Sequence, residues 1–312
     1  MYPLYMTEDF FLLHSLSGNI SWWRFSKNRS PHFYTLTCKH MGYVPTQDFH
    51  DAISLLRSFF LSKWFLEVHT QDRLSILAAC EDPSTIATFE YQWQKWPLPQ
   101  TGQMRLEYEL LTHPEFTWVF CVSTSYRQEP NPIPGRHETI FPMFEFEAKG
   151  DMEDLITLEK KLLVYLGFWT SNRFSSATYL ETAHLFDTEE MNTTHEMSLR
   201  KDHHKPVHFI TYFPEYTFPF RNMKRSGELA NKVDVILCGM ETIGSAQREV
   251  DPMIMRERFY SISDGQYAKN LFDHFGKDRV EKELEHFLAF DFFPRYGGGI
   301  GMTRLIRALK NK

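Results

Sequence analysis

The spacing of apolar residues along the chain predicts a series of helices. Residues 48–68 place apolar side chains at helical spacing and end in a short β-like segment, FLEVHT. Residues 97–114 begin with a turn and continue into a short helix that stops near a proline. Residues 151–168 are strongly helical, with Asp151 as the N-cap, and residues 265–290 form a helix in two parts divided by a glycine.

Strand-like patterns fill the intervals between these helices. Apolar, β-branched and aromatic residues predict strands in residues 116–129, 138–150, 207–214 and 232–249, the last being long enough for a strand pair. A final strand and helix begin at residue 295. Most of these strands neighbour an antiparallel partner and not a crossover helix. The pattern therefore predicts an α+β fold with one extended antiparallel sheet.

The composition narrows the class of protein. The chain has 312 residues, 42% of them hydrophobic, which is enough for a buried core. Its 34 basic and 40 acidic side chains give a net charge of −6, so no nucleic-acid surface is required, although a local basic groove is compatible with that balance. The four cysteines form no CxxC pair, which argues against a zinc cage or a disulfide framework and favours a reducing compartment.

Targeting signals are not found in the sequence. The first residues carry acidic side chains and no basic stretch, so they do not predict a signal peptide. No apolar run approaches the roughly 18 residues that a membrane helix needs. We therefore expect a cytoplasmic protein with no membrane partner.

The predicted hairpin after residue 116 is the first candidate for chemistry. Arg127 and Glu129 lie two apart on a strand, so they point to the same face. The following loop supplies Arg136 and His137, and the return strand supplies Phe141. Two arginines on one face suit a triphosphate, because guanidinium binds phosphate oxygens bidentately, and the ring could stack on a base. The alternative is a surface hairpin with solvated ion pairs.

The glycine-rich segment RYGGGIGMTRLIRALK, residues 295–310, is the second candidate. Its four glycines have no Cβ atoms, so a ligand can approach the backbone closely. The helix N-terminus that follows favours phosphate, and Arg304 lies in the first turn. The alternative is a glycine turn required only for tight packing.

The strand pair over residues 232–249 is the third candidate. It carries Asp234, Glu241 and Arg248. Carboxylates that face bound phosphates would hold Mg²⁺, a hard cation that takes oxygen ligands. The alternative is a bulged strand with an ordinary ion pair.

Together and in this order, these segments resemble the catalytic core of class II aminoacyl-tRNA synthetases. SYRQE…RHETIFPMFEFE and GGGIGMTRLIRAL are similar to the second and third motifs of that class, and FHDAISLLRSFFLSKWFLEVHT is similar to the first, a helix and strand used for dimerisation. CED, GQMRLEYELL, HFITYFPEYTFPFRNMK and METIGSAQRE resemble the asparaginyl and aspartyl branch. The resemblance covers residues 48–310 and implies a class II synthetase-like antiparallel sheet flanked by helices.

The resemblance implies a role for each matching residue. Two catalytic arginines, Arg127 and Arg304, would stabilise the adenylation transition state. The implied ATP site comprises Arg127, Glu129, Arg136, His137, Phe141, Glu241 and Arg304. Glu241 with Asp234 would hold Mg²⁺. The implied amino-acid pocket comprises Glu81 for the ammonium, Gln103 in the wall, and Glu107 with Arg248 for an asparagine side-chain amide.

Two departures from the family pattern affect the expected assembly. Gln71 stands where the first motif ends in proline, which leaves the dimer geometry open, although a homodimer is expected. The residues before the core are too few and too irregular for the five strands of the branch's anticodon-binding OB barrel. We therefore expect an N-terminal extension of unknown role, residues 1–47, and a catalytic domain, residues 48–312.

The implied reaction is adenylation of an amino-acid carboxylate with ATP and Mg²⁺. In the first outcome, the β-carboxylate of aspartate is activated and ammonia displaces AMP, as in stand-alone asparagine synthetases that resemble this branch. A reversed pose would then place the α-carboxylate at Arg248 and the ammonium at Glu107 and Glu81. No second domain that would release ammonia from glutamine is found, so free ammonia or an ammonia-supplying partner is implied.

Two further outcomes are open. In one, the α-carboxylate of asparagine or aspartate is activated and passed to tRNA, a protein lysine or a small amine. In the other, the chain is a non-catalytic regulatory subunit. The regulatory subunit is disfavoured because the matching residues are all intact: Arg127, Glu129, Glu241 and Arg304.

Overall fold

The computed structural model divides into two compact units, residues 1–39 and residues 40–312. The residues described are 10–14, 20–24, 44–70, 74–77, 81–132, 138–168, 173–203, 207–217 and 222–311. In the first unit they form an antiparallel hairpin of β1 (Phe10–His14) and β2 (Ile20–Arg24). The expectation that the N-terminal segment is irregular is therefore wrong for these two strands.

The second unit is built around a nine-stranded sheet. The strands of this unit are β3 (Leu66–Glu67), β4 (Thr88–Tyr91), β5 (Gln94–Pro97), β6 (Trp118–Tyr126), β7 (Ile140–Lys149), β8 (Ser175–Thr178), β9 (Val207–Pro214), β10 (Arg225–Ser226), β11 (Leu229–Leu237), β12 (Met240–Gln247) and β13 (Arg295–Gly301). The order in the sheet is β3-β6-β7-β13-β12-β11-β9-β8, with β10 beside β11, while β4 and β5 form a separate hairpin. Only the pairs β3–β6 and β8–β9 are parallel among the described strands.

Nine α-helices are described, all of them in the second unit. They are α1 (Thr46–Ser62), α2 (Gln103–Thr112), α3 (Met152–Tyr165), α4 (Tyr179–Leu185), α5 (Thr193–His203), α6 (Pro252–Ser261), α7 (Gln266–Phe275), α8 (Lys277–Leu288) and α9 (Met302–Lys310). Among the described residues, no helix is both long enough and apolar enough to cross a membrane.

The two faces of the sheet differ in chemistry, and β7 shows why. Its sequence alternates, so Phe144 and Phe146 point to one face and Glu145 and Glu147 to the other. The phenylalanines join the apolar core that α1, α3 and α9 share. The glutamates are fully buried on the opposite face, where α2 crosses the sheet. One face of the sheet therefore packs against an apolar core, and the other face carries buried charged side chains.

Most of the predicted elements are confirmed, and the fold is the predicted α+β class. The helical pattern of residues 48–68 forms α1, the hairpin of residues 116–150 forms β6 and β7, and Asp151 caps α3 by accepting from two backbone N–H groups. Strand β6 ends at Tyr126, so the prediction that Arg127 and Glu129 share a strand is wrong. The structure also contains elements that the sequence did not predict, among them the helices α4, α5 and α6 and the β4–β5 hairpin.

A carboxyl group is buried within the apolar face of the sheet. Glu159 of α3 is fully buried, and its Oε1 accepts a hydrogen bond of 2.6 Å from Ser245 Oγ of β12. Its Oε2 has no hydrogen-bond partner among the described atoms. Burial, assisted by the charge of Asp234, raises the pKa of Glu159 to about 8. The folded protein therefore keeps this proton in a pH range where the unfolded chain has lost it.

This proton predicts a pH-dependent stability. The folded pKa is raised, so the contribution of Glu159 is fully present below about pH 4.5 and is lost as pH rises towards 8. Replacement by glutamine keeps the acceptor for Ser245 and removes the titration. We expect the stability of wild type relative to Glu159→Gln to fall by about 1.4 kcal/mol per pH unit between pH 5 and 8. Urea unfolding of both proteins across that range measures the difference, which would be constant if Glu159 were ionised in the fold.

Candidate active site

A cavity of about 320 Å³ opens on the charged face of the sheet. It lies over the strands β7, β11, β12 and β13, and the start of α9 closes one side. Seven of the predicted site residues line its wall: Gln103, Arg127, Glu129, Phe141, Glu241, Arg248 and Arg304. Residues from the beginning, middle and end of the second unit therefore meet in one place.

Arg127 reaches the cavity from the segment that follows β6. Its backbone N–H donates to Thr139 O at 2.8 Å, which extends the β6–β7 hairpin by one hydrogen bond. Its guanidinium Cζ lies 5.6 Å from the centroid of the Phe141 ring, and its Nε is buried without a hydrogen-bond partner among the described atoms. A buried donor in this position favours an anionic ligand, since an unmade hydrogen bond there is costly.

Arg304 enters the cavity from the opposite side. Strand β13 ends at Gly301, α9 begins at Met302, and Arg304 is therefore in the first turn. Its Nη1 donates to the backbone oxygen of Glu241 at 2.8 Å and lies 3.6 Å from the Glu241 carboxylate. With about a third of each side chain exposed, the pair remains open to a ligand in the cavity.

The two carboxylates predicted to hold Mg²⁺ lie on the neighbouring strands β11 and β12. Asp234 faces Gly244 across the ladder, and a Cβ added to Gly244 would meet Glu241 Oε1 at 3.3 Å and Asp234 Oδ1 at 3.7 Å. That Oδ1 is buried without a hydrogen-bond partner among the described atoms. The glycine therefore leaves a space between the carboxylates.

This space fits a Mg²⁺ ion that is bound by the two carboxylates on one side and by phosphate oxygens on the other. Mg²⁺ is usually held by one or two carboxylates together with phosphate oxygens and water. Burial raises the pKa of Asp234 to about 7, while Lys232 opposes the shift. Among the described residues, no group of three or more histidine, cysteine, aspartate or glutamate side chains forms a metal cage. The pair is suited to a metal that arrives with a nucleotide.

Four buried charges lie beneath the cavity, and of these Arg248 lines the cavity wall. Arg248 donates from Nε and Nη2 to the two oxygens of Glu147, at 3.0 and 2.9 Å. Arg295 donates to Glu107 Oε2 at 2.5 Å, and Asn222 donates to Glu107 Oε1 at 2.7 Å. Arg248 Nη2 also donates to Gln103 Oε1 at 2.6 Å, which orients Gln103 in the wall. Each carboxylate is thus matched by a guanidinium.

A further buried carboxylate of the site, Glu145, orders the start of α2. It accepts hydrogen bonds from Gly102 N at 2.7 Å, from Ser123 Oγ at 2.5 Å and from the hydroxyl of Thr101. Burial raises the pKa of Glu145, and these donors oppose the rise. An acidic group is favourable at a helix N-terminus, so Glu145 positions the helix that carries Gln103.

A family comparison agrees with this arrangement. The family model described as tRNA synthetases class II (D, K and N) matches residues 46–312. The chain belongs to this family. The matched range contains every site residue discussed above, so the cavity lies within the class II synthetase domain.

Individual relatives share about a quarter of the residues over the matched regions. The cytoplasmic aspartate–tRNA ligase of Rattus norvegicus is 24% identical over 291 residues, covering 80% of this chain and 54% of the relative. A lysine–tRNA ligase of Campylobacter jejuni subsp. doylei is 26% identical over 160 residues, covering 51% of this chain and 29% of the relative. The chain thus spans about half of the aspartate–tRNA ligase and less of the lysine–tRNA ligase.

Solved structures share the fold. The asparaginyl-tRNA synthetase of Pyrococcus horikoshii, complexed with asparaginyl-adenylate, has a TM-score of 0.69 and 20% identity, covering 84% of this chain and 64% of that one. The asparaginyl-tRNA synthetase of Entamoeba histolytica, also with asparaginyl-adenylate, has a TM-score of 0.65 and 17% identity, covering 85% and 63%. The class II synthetase-like sheet predicted from the motifs is therefore confirmed.

Three predicted site residues of the synthetase domain do not line the main cavity. Glu107 is fully buried beneath the cavity, against Arg295 and Asn222. Asp234 and Glu81 line two neighbouring cavities, each of about 360 Å³. The prediction that Glu107 faces the substrate does not agree with this position, because its oxygens are turned to other protein groups.

Other predictions fall outside the described residues. Arg136 and His137, assigned to the outer phosphates, lie in the segment 133–137, and Gln71 lies in the segment 71–73. Conversely, sequence reasoning gave no role to Lys232 or Arg295, which line and support the site. The sequence does contain a signal for Arg295. An arginine that is the first residue of a buried, glycine-rich strand requires a buried acidic partner.

The glycine strand β13 is required by the charge cluster. A Cβ on Gly297 would lie 1.6 Å from Glu147 Oε2 and 2.7 Å from Arg248 Nη2. A Cβ on Gly298 would lie 2.6 Å from the Cβ of Ser245. Tight packing, which was the alternative interpretation, therefore explains why residues 297 and 298 are glycines. Gly299 and Gly301, in contrast, line the cavity.

Replacement of Gly297 by alanine should separate the buried ion pair. We expect Gly297→Ala to lower the free energy of unfolding by about 3 kcal/mol or more, because Glu147 must move away from Arg248 in a buried setting. Gly301→Ala, on the same strand, is the matched control: its Cβ would meet Arg304 at an ordinary 3.7 Å, so a change within about 1 kcal/mol is expected. Urea unfolding distinguishes the two, and equal stabilities would contradict the packing argument.

Proposed function

We propose that this synthetase domain activates an amino-acid carboxylate by adenylation with ATP. The observation that supports this most directly is the meeting of Arg127 and Arg304 across one cavity that also contains Phe141 and Glu241. Two guanidiniums, an aromatic ring and a carboxylate together suit phosphates, a base and Mg²⁺.

In this reaction the substrate carboxylate oxygen attacks the α-phosphorus of ATP, the bond to the β-phosphate oxygen breaks, and pyrophosphate leaves. No protein nucleophile is required. Arg127 stabilises the charge that develops on the α-phosphate and orients the carboxylate, and Arg304 binds the outer phosphates. Mg²⁺, held by Glu241 and Asp234, would supply charge neutralisation for the phosphate chain.

Aspartate or asparagine is the proposed amino acid. Support comes from the similarity to enzymes named for these amino acids and from the position of Arg248 and Gln103 in the cavity wall. The reversed aspartate pose predicted an ammonium at Glu107, whose oxygens accept from Arg295 and Asn222. The position of Glu107 counts equally against the reversed pose and against the usual pose, in which Glu107 would read the side-chain amide, so it favours neither carboxylate for activation.

The acceptor of the acyl group is the second part of the proposal. Ammonia, which would give asparagine and AMP from activated aspartate, is one candidate. The other is a tRNA, which the names of the similar ligases specify, or a protein lysine or a small amine. The names of those relatives favour tRNA, whereas the net charge of −6 favours a small acceptor.

Loss of either arginine should abolish activation. We expect ATP–pyrophosphate exchange driven by aspartate or asparagine, with Arg127→Met and Arg304→Met each slowing exchange by roughly 10²–10³-fold, because each removes a charge that stabilises the transition state. Arg256→Met is the matched control, since Arg256 forms an exposed ion pair with Glu285. Exchange that survives both substitutions, or none with any amino acid in wild type, would refute the proposal; the latter result would favour the regulatory subunit.

The same assay distinguishes the acceptors. Asparagine and AMP formed from aspartate only when ammonium is present would identify ammonia. Exchange with asparagine, with no product from ammonium and with AMP formation dependent on added tRNA, would identify tRNA.

A homodimer is also proposed, through α1 and β3. Four large apolar side chains are exposed in and between these two elements: Leu55 at 39%, Leu61 at 52%, Trp64 at 81% and Leu66 at 45%. Such a patch on a soluble domain marks an interaction surface. We expect Leu61→Asp to raise the dimer dissociation constant about tenfold or more.

Light scattering over a concentration series measures this constant. Leu185→Asp, which alters another exposed leucine at the end of α4, should leave the mass unchanged. A monomeric wild-type protein at all concentrations would contradict the proposed dimer.

A further inference from the structure

Lys232 occupies a position in the site that the sequence analysis did not assign. It lies on β11, two residues before Asp234, and therefore on the same face of the strand. Its Nζ is 2.7 Å from Asp234 Oδ2 and 4.0 Å from the centroid of the Phe213 ring. Only 17% of its side chain is exposed, and it lines both the main cavity and the neighbouring cavity that Asp234 lines.

Each carboxylate proposed for Mg²⁺ is already in contact with a cation of the chain. Lys232 binds Asp234, and Arg304 lies 3.6 Å from the carboxylate of Glu241. The space that Gly244 leaves between the two carboxylates is bordered by Asp234 Oδ1, which has no hydrogen-bond partner among the described atoms. The site thus has room for a cation, and each of the two carboxylates already has a cation of the chain beside it, while Glu196 adds a third acid near Asp234.

A divalent cation and the Lys232 ammonium compete for the same carboxylate. Mg²⁺ binds oxygen at about 2.0–2.1 Å. An ion that close to Asp234 would lie within a few ångströms of the ammonium, and like charges at that distance repel strongly in a partly buried site. The conflict ends if the ammonium turns from Asp234 to a second anion, and a bound triphosphate in the main cavity would supply one.

We propose that Lys232 is a positioning residue that holds Asp234 in the nucleotide-free site and moves to the phosphates when Mg²⁺ arrives, so that the metal binds together with nucleotide and not before it. This inference rests on the proposed ATP site. It adds a specific property to that site: the affinities for metal and nucleotide are strongly coupled, and Lys232 is the cause of the coupling.

Mn²⁺ serves as the probe for Mg²⁺, since free Mn²⁺ is counted directly by electron paramagnetic resonance. Wild-type protein should bind Mn²⁺ weakly alone and at least tenfold more tightly with a non-hydrolysable ATP analogue. Lys232→Met should bind Mn²⁺ alone about tenfold or more tighter than wild type, because the competing charge is gone. Asp234→Asn, added to Lys232→Met, should remove this gain.

Two controls separate the charge of Lys232 from general disturbance of the fold. Lys232→Arg keeps a cation beside Asp234 and should retain weak binding of Mn²⁺ alone. Lys160→Met removes another lysine that lies over a phenylalanine ring, that of Phe209, and should behave as wild type. If Lys232→Met does not fold, Lys232→Gln provides the same test.

Equal binding of Mn²⁺ alone by wild type and Lys232→Met would overturn the inference, as would tight binding of Mn²⁺ by wild type without nucleotide. Failure of the ATP analogue to bind any variant would instead refute the proposed ATP site. The two failures are distinguishable, because the metal-only measurement does not involve nucleotide.

Discussion

The pairing of two buried arginines with two buried glutamates holds the site together. Arg248, Arg295, Glu107 and Glu147 are each at most 1% exposed. Arg248 follows directly after β12, and the other three come from β13, α2 and β7, so the salt bridges and hydrogen bonds among them fix the distances between four separate parts of the chain. An unpaired ion in this setting would be destabilising by several kcal/mol, and removing any one member leaves such an ion behind. The cluster beneath the cavity is therefore formed as a unit.

This constraint explains the composition of the strands around it. The carboxylate of Glu147 occupies the space where a side chain of Gly297 would project, so β13 has no freedom to carry a larger residue there. It also explains why the cavity-facing arginine Arg248 is held rigidly: its guanidinium is fixed by Glu147 and by Gln103 together. Two further cations of the site, Arg304 and Lys232, are more exposed than Arg248, at 30% and 17%.

The sequence predicted the helices and strands better than it predicted which charged side chains line the cavity and which are buried beneath it. Apolar periodicity located α1, α3 and the β6–β7 hairpin, because those patterns record which side chains are buried. The resemblance to family motifs that lie far apart in the chain assigned Arg127 and Arg304 to one site, and both residues line one cavity. The family resemblance assigned Glu107 to the amino-acid pocket, whereas the structure buries it one helical turn from Gln103, which lines the cavity wall. Whether a charged residue of this helix meets a ligand or an internal partner depends on Arg295, nearly 190 residues away.

The alternation in β7 has a consequence for how the sheet assembles. Phenylalanines and glutamates take turns along this strand, and each kind is buried on its own side. A shift of the strand by a single position against β6 or β13 would place the aromatic rings beside the buried arginines. It would also place the glutamates in the apolar core. Misaligned pairings would be penalised on both surfaces at once, so the chemistry of the catalytic face also protects the strand register.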